Sequence, residues 1–216
     1  MRYHVFTELV DAGEGLHVEF KRKVSSPEKI AREMIAFANT SGGTLIFGID
    51  DDKSVVGVES EKSELEEIRI AAEDLTVPPI SYDVTIFNVG NRDVICVEIA
   101  ESPDKPHMMA DGQDGEMKAY VRVGENSIQA SREMVKVMKH RSGRTGPVHI
   151  VIGEAEKRLF AYFENNDRIT VKEYAELINV SQRRASRLLI RLVRAGVVAI
   201  HTMEKADYFS LVRSPG

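Results

Sequence analysis

One apolar segment, broken once by a Gly-Gly pair, constrains the fold of this chain more than any other feature. It reads A-F-A-N-T-S-G-G-T-L-I-F-G-I over residues 36–49. Upstream, Ser26-Pro27-Glu28 offers a helix start with proline at a first-turn position. Ile30, Met34, Ile35, Phe37 and Ala38 then recur at helical spacing. Gly42-Gly43 ends that helix, and T-L-I-F-G-I is short and nearly all apolar, the pattern of a central strand. Before the helix, H-V-E-F-K (residues 17–21) alternates Val18 and Phe20 with His17, Glu19 and Lys21, a second short strand.

The segments that follow extend the same alternation of strands and helices. S-V-V-G-V follows a D-D-K turn and is expected to pair with T-L-I-F-G-I as a hairpin. Residues 61–74 predict a helix with an acidic outer face, stopped by Pro78-Pro79. I-S-Y-D-V-T-I-F and D-V-I-C-V-E-I flank a G-N-R turn as a second hairpin. S-P-D-K-P-H-M-M-A-D-G-Q-D-G is a loop by composition. K-A-Y-V-R-V-G predicts a strand, and Ser131 caps a closing helix through Lys139. The expected fold class is α/β (α+β), built on a mixed sheet over residues 1–140.

R-S-G-R-T-G-P opens a linker placed at residues 141–152, and a second domain is expected over 153–216. There E-A-E-K-R-L-F-A-Y-F is a helix with Leu159, Phe160 and Phe163 inward. Thr170 caps V-K-E-Y-A-E-L-I, and Asn179-Val180-Ser181 is a tight turn. Ser181 caps a long helix that Gly196 stops. V-V-A-I-H-T and Y-F-S-L-V, joined by a short E-K-A-D, then read as a hairpin. Helix, helix, turn, helix, hairpin is the order of a small winged helix-turn-helix.

Charge separates the two parts. Residues 1–140 hold 16 Lys+Arg against 26 Asp+Glu, a net of −10, whereas residues 141–216 hold 13 against 8, a net of +5. An acidic body with a basic C-terminal module points to nucleic acid as a partner of the latter. The basic helix at 181–196 carries Arg183, Arg184, Arg187, Arg191 and Arg194 and no acid. Gln182, Arg183, Arg184, Ser186, Arg187 and Arg191 are the expected nucleic-acid contacts. Arginine there can bind phosphate or pair bidentately with guanine.

No run of about 18 apolar residues exists, so no membrane-spanning helix is expected. The N-terminal M-R-Y-H-V-F-T-E-L-V-D lacks the apolar stretch of a signal peptide. The single cysteine, Cys96, reads as a buried structural thiol, and the expected compartment is the cytoplasm. Six histidines, at 4, 17, 107, 140, 149 and 201, show no metal-ligand spacing.

Several segments together resemble a known family. E-G-x-x-V-E-F-K (14–21), A-F-A-N-T-S-G-G-T-L-I-F-G-I-D-D (36–51), V-V-G-V (55–58), K-P-H (105–107) and Y-V-R-V-G-E-N-S (120–127) are similar to the Schlafen-type AlbA-like domain. Bacterial members joined to a C-terminal helix-turn-helix are described as transcriptional regulators or nucleic-acid-binding proteins. Animal relatives include endoribonucleases of tRNA and rRNA that use three carboxylates and a divalent metal. Carried over by position, the resemblance implies Glu14, Glu19 and Asp50 as metal ligands for Mg²⁺ or Mn²⁺, with Lys21 beside a phosphate. Asp51 and Asp52 leave the third ligand open by one position. A plain Glu19–Lys21 surface ion pair is the competing reading of the same residues. Ser41-Gly42-Gly43-Thr44 lacks the lysine of a phosphate loop, so ATP is not an expected cofactor.

The leading expectation is therefore a homodimeric DNA-binding transcriptional regulator. A metal-dependent endoribonuclease acting on structured RNA is the alternative, and an interaction module is a third.

Overall fold

The computed structural model describes residues 1–110, 115–141, 152–203 and 206–212. Most of the linker expected at 141–152 lies outside these residues. So do the loop positions 111–114, Glu204 and Lys205 of the hairpin turn, His149, and the side chain of His140. The chain forms two compact units, Met1–Gln129 and Ala130–Gly216.

The first unit opens with a helix that periodicity did not single out, α1 (Tyr3–Ala12). It is followed by β1 (Val18–Lys21), α2 (Pro27–Asn39) and β2 (Gly43–Phe47). Next come α3 (Glu61–Arg69), which runs on through a wider turn at Ile70–Asp74, then β3 (Asp83–Val89) and β4 (Arg92–Ile99). Short strands close the unit: β5 (Met109–Ala110), β6 (Met117–Lys118), β7 (Tyr120–Val123) and β8 (Asn126–Gln129). The main sheet has the order β1-β2-β4-β3. β1 and β2 are parallel, joined by α2 as a crossover, while β2–β4 and β4–β3 are antiparallel. The expected mixed sheet is thus observed.

Both sheet faces are covered, and this is why β2 and β4 read as unbroken apolar runs. Leu45, Phe47, Ile95, Val97 and Ile99 pack with α2 and α3. Ile46, Val94 and Cys96 point the other way, into a cluster with Phe6 of α1. Phe6 stacks on Phe87 of β3 at 4.9 Å between ring centroids. Burial pushes the Cys96 thiol up to about 12, in keeping with an inert core residue.

The Gly-Gly pair has a steric cause. Gly42 takes φ +75°, and a Cβ there would lie 2.7 Å from the Ile99 carbonyl oxygen. A Cβ on Gly43 would enter the ring of Phe37, which is fully buried. Helix α2 therefore reverses straight into β2 beneath its own last turn. The expected hairpin after β2 is reduced to one bridge, Ile49↔Val55. The Gly48 carbonyl takes both the Val56 and Gly57 N–H groups, so no ladder continues.

Where α2 ends, Asn39 is buried and binds three backbone groups. Its amide NH₂ donates to the carbonyls of His107 (2.9 Å) and Tyr120 (3.0 Å), and its oxygen accepts the His107 N–H (2.8 Å). The His107 ring is fixed in turn, with Nδ1 2.8 Å from the Pro78 carbonyl and Nε2 2.6 Å from Ser102 Oγ. A carbonyl only accepts, so Nδ1 carries the proton and the Ser102 hydroxyl donates to Nε2. This histidine of the K-P-H loop holds loops together.

The second unit contains α4 (Arg132–Arg141), α5 (Glu154–Phe163), α6 (Val171–Leu177), α7 (Gln182–Arg194) and a hairpin of β9 (Val198–His201) and β10 (Tyr208–Leu211). Helix α4, which the sequence attaches to the first domain, belongs here by its packing. Val137 is buried with Leu159, Tyr174, Leu189 and Phe209 in one core. Ser131 caps α4 through the Met134 N–H, Thr170 and Glu173 form a capping box on α6, and Ser181 caps α7. No helix among the described residues is long and apolar enough to cross a membrane.

Two predictions follow from this packing. Gly43→Ala, which must displace the Phe37 ring, is expected to lower stability by about 1–3 kcal/mol in urea denaturation. Burial holds the His107 imidazole below its ordinary value of 6.5. The unfolded chain therefore takes up a proton near that value and the folded chain only at lower pH. This contribution to stability is complete above about pH 6.5 and declines as pH falls toward the folded value. Denaturation midpoints across pH 7.5 to 5 are expected to show the decline, and His107→Gln to flatten it.

Candidate functional site

Strand β1 alternates, so Val18 and Phe20 enter the core while Glu19 and Lys21 share the opposite, partly open side. Above them lies Arg122 of β7, whose side chain is 0% exposed. Its Nη1 donates to Glu19 Oε2, to Glu33 Oε2 on α2 and to Ser127 Oγ, each at 3.1 Å. Nη2 donates to the Gly15 carbonyl at 2.6 Å. The guanidinium lies over the Phe37 ring at 4.7 Å, and the Arg122 N–H donates to Thr40 Oγ1 at 2.9 Å. Lys21 Nζ binds Glu19 Oε1, and the Ser127 hydroxyl donates to Glu33 Oε2. Two carboxylates and two cations thus form one partly buried cluster with no formal net charge.

Burial raises the Glu33 carboxyl above its ordinary value; Glu19 adds to this, and Ser127, Lys21 and Arg122 oppose it. The segments E-G-x-x-V-E-F-K and Y-V-R-V-G-E-N-S, with Glu19 and Arg122 103 positions apart, therefore meet around Arg122. Sequence reasoning assigned no role to Arg122 or Glu33. The available signal was an arginine inside the otherwise apolar strand Y-V-R-V, since an isolated charge there needs partners.

The residues implied as metal ligands are each engaged by the protein itself. Glu14 Oε1 accepts the Phe20 N–H at 2.8 Å, bracing the turn before β1. Glu19 is divided between Lys21 and Arg122. Asp50, beyond the end of β2, pairs with Arg22 at 2.9 Å and accepts the Asp51 N–H at 3.1 Å. The Ser54 hydroxyl, and after it the Ser54 N–H that Asp52 accepts at 2.9 Å, hold the Asp52 carboxyl below the usual range. Among the described residues no three His, Cys, Asp or Glu side chains are grouped as metal donors. Cationic groups hold Glu19 and Asp50, and a backbone N–H holds Glu14, so this arrangement does not fit Mg²⁺ or Mn²⁺. Lys21 is likewise held by Glu19.

In the second unit, α7 buries Ala185, Leu189, Ile190, Leu192 and Val193. Gln182, Arg183, Arg184 and Arg187 are exposed along its first half. Among the described residues no carboxylate lies within ion-pair distance of these three arginines. The other two expected contacts are engaged by neighbouring helices. Ser186 is 4% exposed and donates to Glu133 of α4 at 2.7 Å. Arg191 binds the buried Glu156 at 2.6 Å. Helical spacing places both on the side of α7 that packs on its neighbours, which the arginine count alone does not reveal.

Residues 14–131 match the Schlafen, AlbA_2 family, so the match ends two residues past the first compact unit. Two solved structures are similar to part of the chain. The DIP2311 protein from Corynebacterium diphtheriae is 20% identical with a TM-score of 0.46, over 63% of this chain and 29% of that one. The N-terminal domain of a RecG-related protein from Nitrosomonas europaea is 23% identical with a TM-score of 0.44, over 61% of this chain and 95% of that one. The chain thus spans under a third of the Corynebacterium protein's length.

Arg122→Met strips Glu33 of its cation and leaves Glu19 with Lys21 alone, and is expected to cost about 3–5 kcal/mol of stability in urea denaturation. Adding Glu33→Gln removes the stranded charge, so the double variant is expected to lose less than the sum of the two single losses.

Proposed function

The chain belongs to the Schlafen AlbA_2 family, and from that premise we propose that it is a nucleic-acid-binding protein, acting as a DNA-binding transcriptional regulator. The unit from Ala130 is a winged helix-turn-helix in this reading, with α6 and α7 as the paired helices and β9–β10 as the wing. One observation carries it: Gln182, Arg183, Arg184 and Arg187 stand exposed at the start of α7 without acidic partners among the described residues. A helix N-terminus also favours phosphate, so the arginines and the helix dipole act in the same direction. Burial of Ser186 and pairing of Arg191 narrow the reading surface to those four side chains.

The first unit supports the structure of the regulator without supplying a reaction. The endoribonuclease alternative asks for three carboxylates free to share one ion. Pairing of Glu19 with Lys21 and Arg122 favours the regulator over it.

Fluorescence anisotropy with a mixed-sequence DNA duplex, titrated across salt concentration, tests the assignment. Arg183→Ala with Arg187→Ala is expected to weaken binding and to reduce the slope of log K against log salt by roughly 2, one phosphate contact for each arginine. An unchanged slope would exclude α7 as the reading helix.

A further inference from the structure

Strand β3 is one of the two outer strands of the order β1-β2-β4-β3 and is paired on one side only among the described residues. Its register with β4 runs unbroken from Asp83↔Glu98 to Val89↔Arg92, so there is no bulge. It contains no proline, lysine or arginine, and residues 84–89 carry no charge. Edge strands are ordinarily blunted by one of these devices because open N–H and C=O groups recruit other strands. Here the six residues 84–89 lack all of them.

The exposed side chains add to this. Val84 and Ile86 are 39% and 37% exposed. They lie opposite Val97 and Ile95, so they project on the sheet face that carries α2 and α3. At the start of the strand, Tyr82 lines a 520 Å³ cleft with Glu61, Lys62, Leu65, Glu66, Arg69 and Glu73 of the α3 segment. Residues 61–74 hold six acids against two bases, and Arg69 is already engaged by Glu66, Glu73 and Asp74. An apolar strand edge therefore runs into a cleft with three carboxylates against two cations, set in a segment with an excess of acids.

We propose that this edge docks an extended segment of a partner protein, with β-branched residues along one face and a lysine or arginine cluster at one end. The segment adds as a fifth strand beside β3. Its apolar side chains cover Val84 and Ile86, and its basic end enters the cleft at Tyr82. Charge selects this occupant over a second copy of the chain. Residues 1–129 hold 13 bases against 25 acids, so self-pairing would set two strongly acidic units side by side. The surface lies within the first unit and does not rest on the DNA reading.

The test uses the full chain and a synthetic peptide, Val-Thr-Val-Thr-Val followed by three lysines. Saturable binding is expected, with slowed amide exchange across Asp83–Val89 in the unmodified protein. Ile86→Lys is expected to weaken binding about tenfold or more, since it places a like charge on the edge. Glu61→Gln with Glu73→Gln is expected to lower the salt dependence. A peptide with glycine in place of valine binding equally well would overturn the proposal, because attraction would then be charge alone. Unchanged exchange in β3 would also overturn it. So would a dimer in sedimentation that Ile86→Lys dissociates, since the edge would then belong to a second copy.

Discussion

A guanidinium sealed from water is the constraint around which the first unit is arranged. Arg122 has no solvent-exposed side-chain surface. Burying such a cation is tolerable only when carboxylates and further acceptors surround it. Glu19 comes from β1, Glu33 from α2, Ser127 from β8 and the Gly15 carbonyl from the turn before β1. Four separate stretches of chain must reach one point, and Phe37 forms the floor beneath it. That floor is the same ring that forbids a side chain at Gly43. The steric demand of the Gly-Gly turn and the electrostatic demand of Arg122 therefore meet in one residue.

This arrangement bears on function. Carboxylates that neutralise a buried arginine are not free to hold a divalent cation, because both roles use the same oxygens. The first unit carries a charge cluster whose main effect is to clasp β1, α2 and β7 together. In the second unit the division is the reverse. Glu156 and Glu133 engage Arg191 and Ser186, and Arg183, Arg184 and Arg187 are left facing out. Which arginines are paired, more than how many there are, sets the surface available to a phosphate backbone.

Much of the fold was legible because it follows from short-range rules. The caps Ser26, Thr170 and Ser181, the G-N-R turn between β3 and β4, and the apolar runs of β2 and β4 each carry a local signature. Helix α1 was missed because its apolar contact is chiefly Phe6 against Phe87, a partner about eighty residues away. The hairpin expected after β2 failed for a related reason: two N–H groups compete for the Gly48 carbonyl, and nothing in S-V-V-G-V announces that. Placement of α4 in the second unit likewise depends on Val137 finding the core of Leu159 and Leu189.

The sequence by itself determined the mixed α/β class, the strand–helix–strand order around α2, the chain reversal at Gly42-Gly43 and the basic character of α7, since these rest on periodicity, local sterics and composition. Tertiary structure alone decided what the charged residues do. Glu19 and Lys21 are two positions apart and can be read as a metal site or as an ion pair. Arg122, placed over them by β7, settles their partners. Arg187 and Arg191 are one helical turn apart on the same helix, yet one faces solvent and the other Glu156. A charge's role depends on which opposite charge lies within a few ångströms and how much water lies between them, and a linear sequence records neither.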